Sequence, residues 1–230
     1  MRNSKDPAAA RLPVLARDTA AEPQRRMSGP GLVARQALLE AARQLLRKKR
    51  KARITLVEVA RRAKVSRGST YFFYKDIDAL YAGLLRVLEQ QLLEALRAPI
   101  RQEVETWQEV VALVVQRAAA YLRKDIAICQ LTIGVDTTPS QKIIDRAADI
   151  VVGDTVSSQL DQLFELPRLT NRSRIFFRAI EIADLMLSLS MLEHDKITNE
   201  YVEEATRAAT AYLELYLPKR LPRKNPTSTD

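Results

Sequence analysis

The run SRGSTY from Ser66 to Tyr71 places four hydroxyls and a guanidinium within two helical turns. The Arg67 guanidinium can donate two parallel hydrogen bonds to O6 and N7 of guanine, so it is the residue best suited to reading a base edge. Ser69 and Thr70 can bond bases or phosphates, and Gly68 belongs to the same candidate surface. Tyr71 can reach a phosphate through its hydroxyl while its ring packs on a preceding helix. Ser66 is either a helix cap or a phosphate ligand, and both readings stay open. Arg53, Lys64 and Lys75 add cations around the run, and Thr55, at a helix start, can offer its backbone N–H to a phosphate.

Such groups act only if short helices hold them at a surface. Thr55 and Glu58 form a capping-box pattern, after which Leu56, Val59, Ala60 and Ala63 make one apolar face. Lys64 and Val65 turn the chain, Ser66 opens a short third helix, and Asp76 caps a fourth that runs to Pro99. A first helix is predicted over Leu32–Leu46, from Val33, Ala37, Leu38, Ala41, Ala42, Leu45 and Leu46. Two short helices joined by a tight turn, beside a basic cluster, are a way to place side chains in the DNA major groove.

The charge distribution points the same way. Residues 1–75 hold 19 Lys and Arg against 5 Asp and Glu, whereas residues 76–230 hold 18 against 23. The densest run, LRKKRKAR over Leu46–Arg53, directly precedes the second helix, and Lys48, Lys49, Arg50, Lys51 and Arg53 are candidate phosphate-attracting groups. Arg61 and Arg62 read more simply as a solvated helix face.

Other chemistries lack material. A single Cys and a single His, Cys129 and His194, exclude an internal disulfide and leave little for a metal or nucleophilic site. There is no phosphate-cradling Gly loop, so no enzyme, no metal and no cofactor are expected. No apolar run approaches the length of a membrane span, and the N-terminus lacks a signal-peptide core, which predicts a cytoplasmic protein.

Beyond Pro99 the pattern is helical: Glu103–Leu122, Ile126–Val135, Pro139 to about Leu166, Asn171–Leu192, and a ninth helix from Thr198 to before Pro218. The fold expected is all-α, divided into a disordered basic arm (1–28), a helix-turn-helix domain (29–78), a helical domain (79–217) and a frayed polar tail (218–230). In the eighth helix Arg174, Arg178, Glu181, Asp184 and Ser188 lie within one polar stripe among apolar faces.

Leu32–Leu80 resembles the N-terminal domain of the TetR family of bacterial transcription regulators. The likeness rests on ALLEAARQLL, on Thr55, Val59, Ala60 and Ala63, on Val65-Ser66-Arg67-Gly68-Ser69 with Tyr71, and on Phe72-Phe73-Tyr74 and Asp78-Ala79-Leu80. It covers about 50 residues; the rest is similar only in helical layout and length. The resemblance implies a homodimeric repressor, paired through the last two helices, that leaves double-stranded operator DNA when a small-molecule inducer binds its C-terminal domain. Trp107, Tyr121, Cys129, Phe164, Phe177 and Met186 are candidate pocket residues, each more simply read as core. Four positions depart from the family pattern: Lys64 for the usual Gly of the turn, Thr70 for Leu, Phe73 for a polar phosphate contact, and Ile77 for Lys. The alternative is a DNA-binding factor with an architectural or global role and no inducer.

Overall fold

The computed structural model describes residues 29–100, 104–132 and 138–224. Among them the chain is built of helices: α1 (Gly29–Leu46), α2 (Leu56–Ala63), α3 (Arg67–Phe73), α4 (Ile77–Leu96), α5 (Trp107–Lys124), α6 (Ile126–Thr132), α7 (Pro139–Leu163), α8 (Arg172–His194) and α9 (Asn199–Leu213), with a 3₁₀ turn at Lys51–Arg53. The order matches the sequence reading, and the ends shift by a few residues. The expected basic arm, the expected helical start at Glu103 and the expected end of α6 at Val135 lie outside the described residues.

Caps explain several of these ends. Thr106 with Glu109, and Thr138 with Gln141, each form a complete capping box, and Pro139 sits in the first turn of α7. The predicted box at α2 is only half made. The Thr55 hydroxyl accepts the Glu58 amide at 3.2 Å, but the Glu58 carboxylate turns away to Lys49 Nζ at 2.6 Å.

Two apolar clusters form the core. One gathers α1 and α2 with the first half of α4, α6 and Ile144 of α7; Leu38, Val59, Leu80, Leu88 and Ile128 are its centre. The other joins the end of α4 to α5, α7, α8 and α9 around Trp107, Leu160, Phe164 and Phe176. Helix α4 therefore serves both. Residues 218–224 are not frayed as the sequence suggested. Pro218 O accepts the Trp107 indole N–H at 2.9 Å, and Lys224 N–H donates to Leu163 O at 2.9 Å beside an antiparallel bridge from Phe164 to Arg223.

Polar contacts tie the α1–α3 unit to the body. Asp125, 1% exposed just beyond α5, accepts Arg47 Nε and Nη2 at 3.0 Å each and pairs with Arg43 Nε. Gln130 of α6 donates to Leu46 O and Lys49 O and accepts the Lys51 amide at 2.8 Å. Lys51 is buried; its ammonium donates to Gln141 Oε1 at 2.8 Å and lies 5.7 Å from the Tyr81 ring centre.

Helices α7 and α8 pack closely at Gly153. A Cβ there would lie 2.8 Å from the Phe177 backbone nitrogen and 2.9 Å from the Phe176 carbonyl carbon. Gly153→Ala is expected to lower stability by about 1–3 kcal/mol through this overlap, visible as a fall in melting temperature; an unchanged melt would contradict the close crossing. Burial alone would raise the Asp125 carboxyl, but hydrogen bonds from Arg47, the Ala127 amide and Arg43 hold it below its ordinary value. That contribution is present above the unfolded carboxyl pKa near 4 and is lost as pH falls through the depressed folded value. Asp125→Asn should therefore cost roughly 2 kcal/mol at pH 7. Chemical denaturation should show the gap to the native chain shrinking below about pH 4.

Candidate functional site

The turn between α2 and α3 sets the presentation of α3. Lys64 adopts a left-handed conformation, φ 57° and ψ 34°. Its amide donates to Arg61 O at 3.3 Å, and the Val65 amide donates to Ala60 O at 3.1 Å. This pair of bonds is a Schellman closure, which normally favours Gly at the left-handed residue. A lysine there costs roughly 1 kcal/mol relative to Gly, and it leaves an exposed ammonium at the turn.

Ser66 is the cap of α3: its hydroxyl accepts the Ser69 amide at 3.1 Å and lies 2.9 Å from Ser69 Oγ. Arg67, Gly68 and Ser69 are exposed on the first turn, and Tyr71 and Phe72 are 54% and 73% exposed on the next. Thr70 departs from the sequence reading. It is 1% exposed, and its hydroxyl donates to Ser66 O at 2.9 Å, so it faces the core and offers nothing to a surface partner. The Tyr71 ring likewise stays largely open. Phe73 is half-buried against the α1–α2 core, as is Ile77, while Tyr74 is buried against Gly83 of α4.

Thr55, Arg53, Lys64 and Lys75 are all exposed around this face. The basic run divides. Lys48, Arg50 and Arg53 are exposed, Lys49 pairs with Glu58, and Lys51 is turned inward. Arg62 donates to Gln44 on α1 at 2.8 Å, so it braces the α1–α2 contact. Helix α3 carries no acid, and the first carboxylate after it in the chain, Asp76, caps α4 by accepting the Ala79 amide at 2.7 Å. The exposed Phe72 was not singled out by sequence; within FFY, only the helical register shows which aromatic faces outward.

The C-terminal body holds a cavity of about 70 Å³ between α4, α5, α7 and α8. None of the six pocket candidates lines it. Trp107 and Phe164 are fully buried core, and Tyr121 donates to Leu88 O at 3.0 Å. Phe177 and Met186 are half-buried elsewhere on α8. Cys129 is buried, and burial pushes its thiol up to about 12, which argues against a redox role. The cavity is lined instead by apolar side chains with Glu89, Asp145, Asp149 and Asp184. The predicted polar stripe of α8 accordingly splits: Asp184 faces the cavity, Glu181 forms an ion pair with Arg146 at 2.9 Å, and Arg178 stays exposed. Among the described residues no three acidic, His or Cys side chains are placed to hold a metal ion, and no helix is long and apolar enough to cross a membrane.

A family model described as tetracyclin repressor-like, C-terminal domain, matches residues 105–217. No curated protein matches the chain by sequence. Among solved structures, a TetR-family regulator from Streptomyces coelicolor aligns with a TM-score of 0.60 at 21% identity, over 80% of this chain and 98% of that one. A TetR regulator from Rhodococcus sp. RHA1 aligns with a TM-score of 0.55 at 22% identity, over 80% and 97%. SmeT, the repressor of the Stenotrophomonas maltophilia multidrug efflux pump SmeDEF, aligns with a TM-score of 0.56 at 16% identity, over 80% and 90%. SmeT is also known in a complex with triclosan, which aligns at 0.54 and 15% identity over 86% and 99%. At these identities the structural likeness speaks for the fold. Residues 105–217 thus match a tetracyclin repressor-like C-terminal domain, and the described residues, helix-turn-helix included, share the fold of TetR-family regulators.

Proposed function

We propose that this protein is a sequence-specific DNA-binding regulator, a homodimeric repressor that leaves its operator when a small molecule occupies the C-terminal body. The carrying observation is the acid-free, exposed face of α3, with Arg67, Ser69, Tyr71 and Phe72 outward and the cations of Arg53, Lys64 and Lys75 around it. Arg67 reads a guanine edge, and Ser69 and Tyr71 hold phosphates or neighbouring bases. The Ser66 cap and the buried Thr70 keep α3 in register. SmeT, a repressor with this fold that is known with triclosan bound, supports ligand control. A DNA partner places the protein in the cytoplasm, and neither an enzymatic step nor a cofactor enters this reading.

The dimer reading rests on α8 and α9. Ile182, Leu185, Leu189 and Leu192 follow one another at heptad-like spacing on α8, with Leu185 52% and Leu192 62% exposed. Leu215 and Tyr216, just past α9, are also exposed. A second copy of the chain would cover this apolar stripe.

Arg67→Ala should weaken specific binding by about 1–3 kcal/mol and relax discrimination at one base position. A binding series over operator variants checks it, and unchanged discrimination would remove Arg67 from the reading role. Affinity should also fall steeply with salt, each neutralised phosphate contributing about −0.9 to the log–log slope. Lys64→Gly separates fold from contact: stability should rise by roughly 1 kcal/mol from the relaxed left-handed turn, while the salt slope becomes shallower by about one unit. A stabilised variant with an unchanged slope would assign Lys64 no phosphate.

A further inference from the structure

The α4–α7–α8 cavity is unusual in its charge. Its walls are apolar, from Leu92 and Leu96 of α4, Val114 and Leu122 of α5, and Ile180 and Leu187 of α8, yet its polar lining is all carboxylate apart from the hydroxyl of Thr132. Asp145 is 6% exposed and faces the cavity without a hydrogen bond among the described residues. Its nearest cation, Arg146 Nη1, stands 3.7 Å away and is drawn to Glu181 at 2.9 Å and Asp149 at 3.5 Å. One guanidinium thus serves three acids, with Glu89 and Asp184 beside them, and Lys142 is occupied by Thr132 O at 3.2 Å. Burial, followed by repulsion from Asp184, pushes the Asp145 carboxyl up to about 7, and Glu89 and Asp149 are likewise driven well above their ordinary range. Unpaired buried carboxylates either keep their protons or find a cation.

A cleft of about 320 Å³ between α4 and α7 adjoins the cavity, sharing Glu89 and Val152 with it; its walls are apolar at Leu93, Ile144, Ala148 and Val151, and Arg86 and Gln90 also line it. Resting on the reading of this body as the ligand-binding unit, we propose that the ligand is an organic cation, an alkylammonium whose charged head sits among Asp145, Asp184 and Glu89 and whose apolar chain lies along the α4–α7 cleft. The four carboxylates lining the cavity reject anions and leave a neutral hydroxyl without a charge partner. A bare metal ion does not fit, because the acids do not converge on a point.

The test compares hexylammonium, hexan-1-ol and hexanoate, which share a chain and differ in head charge, by calorimetry on the full-length protein at pH 8. Hexylammonium should bind at least about ten times more tightly than hexanol, since each tenfold corresponds to only about 1.4 kcal/mol of charge recognition, and hexanoate should not bind. Asp145→Asn should abolish the preference for the ammonium without lowering the melting temperature at pH 8, because it removes a buried charge whose partner, Arg146, is shared with two other acids. If that variant does not fold, Glu89→Gln at the mouth of the cavity should reduce the preference in the same direction. Equal binding of hexanol, binding of hexanoate, no binding of any probe, or undiminished ammonium preference in the variants would overturn the proposal. DNA binding is measured on the same samples. Intact DNA binding without cation preference overturns only the ligand class, whereas cation preference without DNA binding at any sequence overturns the regulator reading alone.

Discussion

The buried Asp125 carboxylate is the contact on which the arrangement depends. It sits at the end of α5, in the C-terminal body, yet both its charged partners, Arg43 and Arg47, belong to α1. A carboxylate that is 1% exposed needs both charge and hydrogen bonds, so α1 has little freedom to slide along α5. Gln130 and Lys51 extend the seam to α6 and α7. The α2–α3 pair packs on α1 and inherits its position. A shift in the body that moves α5 or α6 is thereby passed to the exposed face of α3 through short, directional bonds and a shared apolar cluster. This offers the proposed ligand control a physical route, in keeping with two-state elements that both sites can bias.

Helix α8 shows how one sequence face can serve two environments. Asp184 and Glu181 turn inward to α7, and Leu185 and Leu192 turn outward. Carboxylates buried beside one guanidinium are costly in the empty state. A body that keeps such a cost is one whose occupied state can repay it, which links the acidity of the cavity to its proposed cationic ligand.

Much of this was legible in the sequence, for identifiable reasons. Caps are local, so Thr55, Ser66, Asp76 and Thr198 mark helix starts correctly; each hydroxyl or carboxylate accepts an amide of the first turn. The helix-turn-helix was legible because its apolar spacing and turn lie within 30 residues of one another. What failed was non-local. The inward turn of Lys51 depends on Gln141, 90 residues away. The seam at Asp125 depends on arginines about 80 residues earlier. Thr70 reads as a surface hydroxyl until the register of α3 shows it bonded to Ser66 O. The pocket was sought among aromatic and sulfur-bearing side chains, and of these Trp107, Phe164 and Cys129 had already gone into the core. The cavity lies instead among carboxylates that a linear reading assigns to solvent.

The account's central claim is that a rigidly seated α3, presented twice by a dimer, reads DNA. Selection of binding sites from random duplex DNA by the full-length protein tests it most directly. The account predicts a two-fold symmetric site with guanine at matched positions in both halves, the half-sites separated by about one helical turn or a multiple of it. Enrichment of no sequence, or of a site without two-fold symmetry, would contradict it.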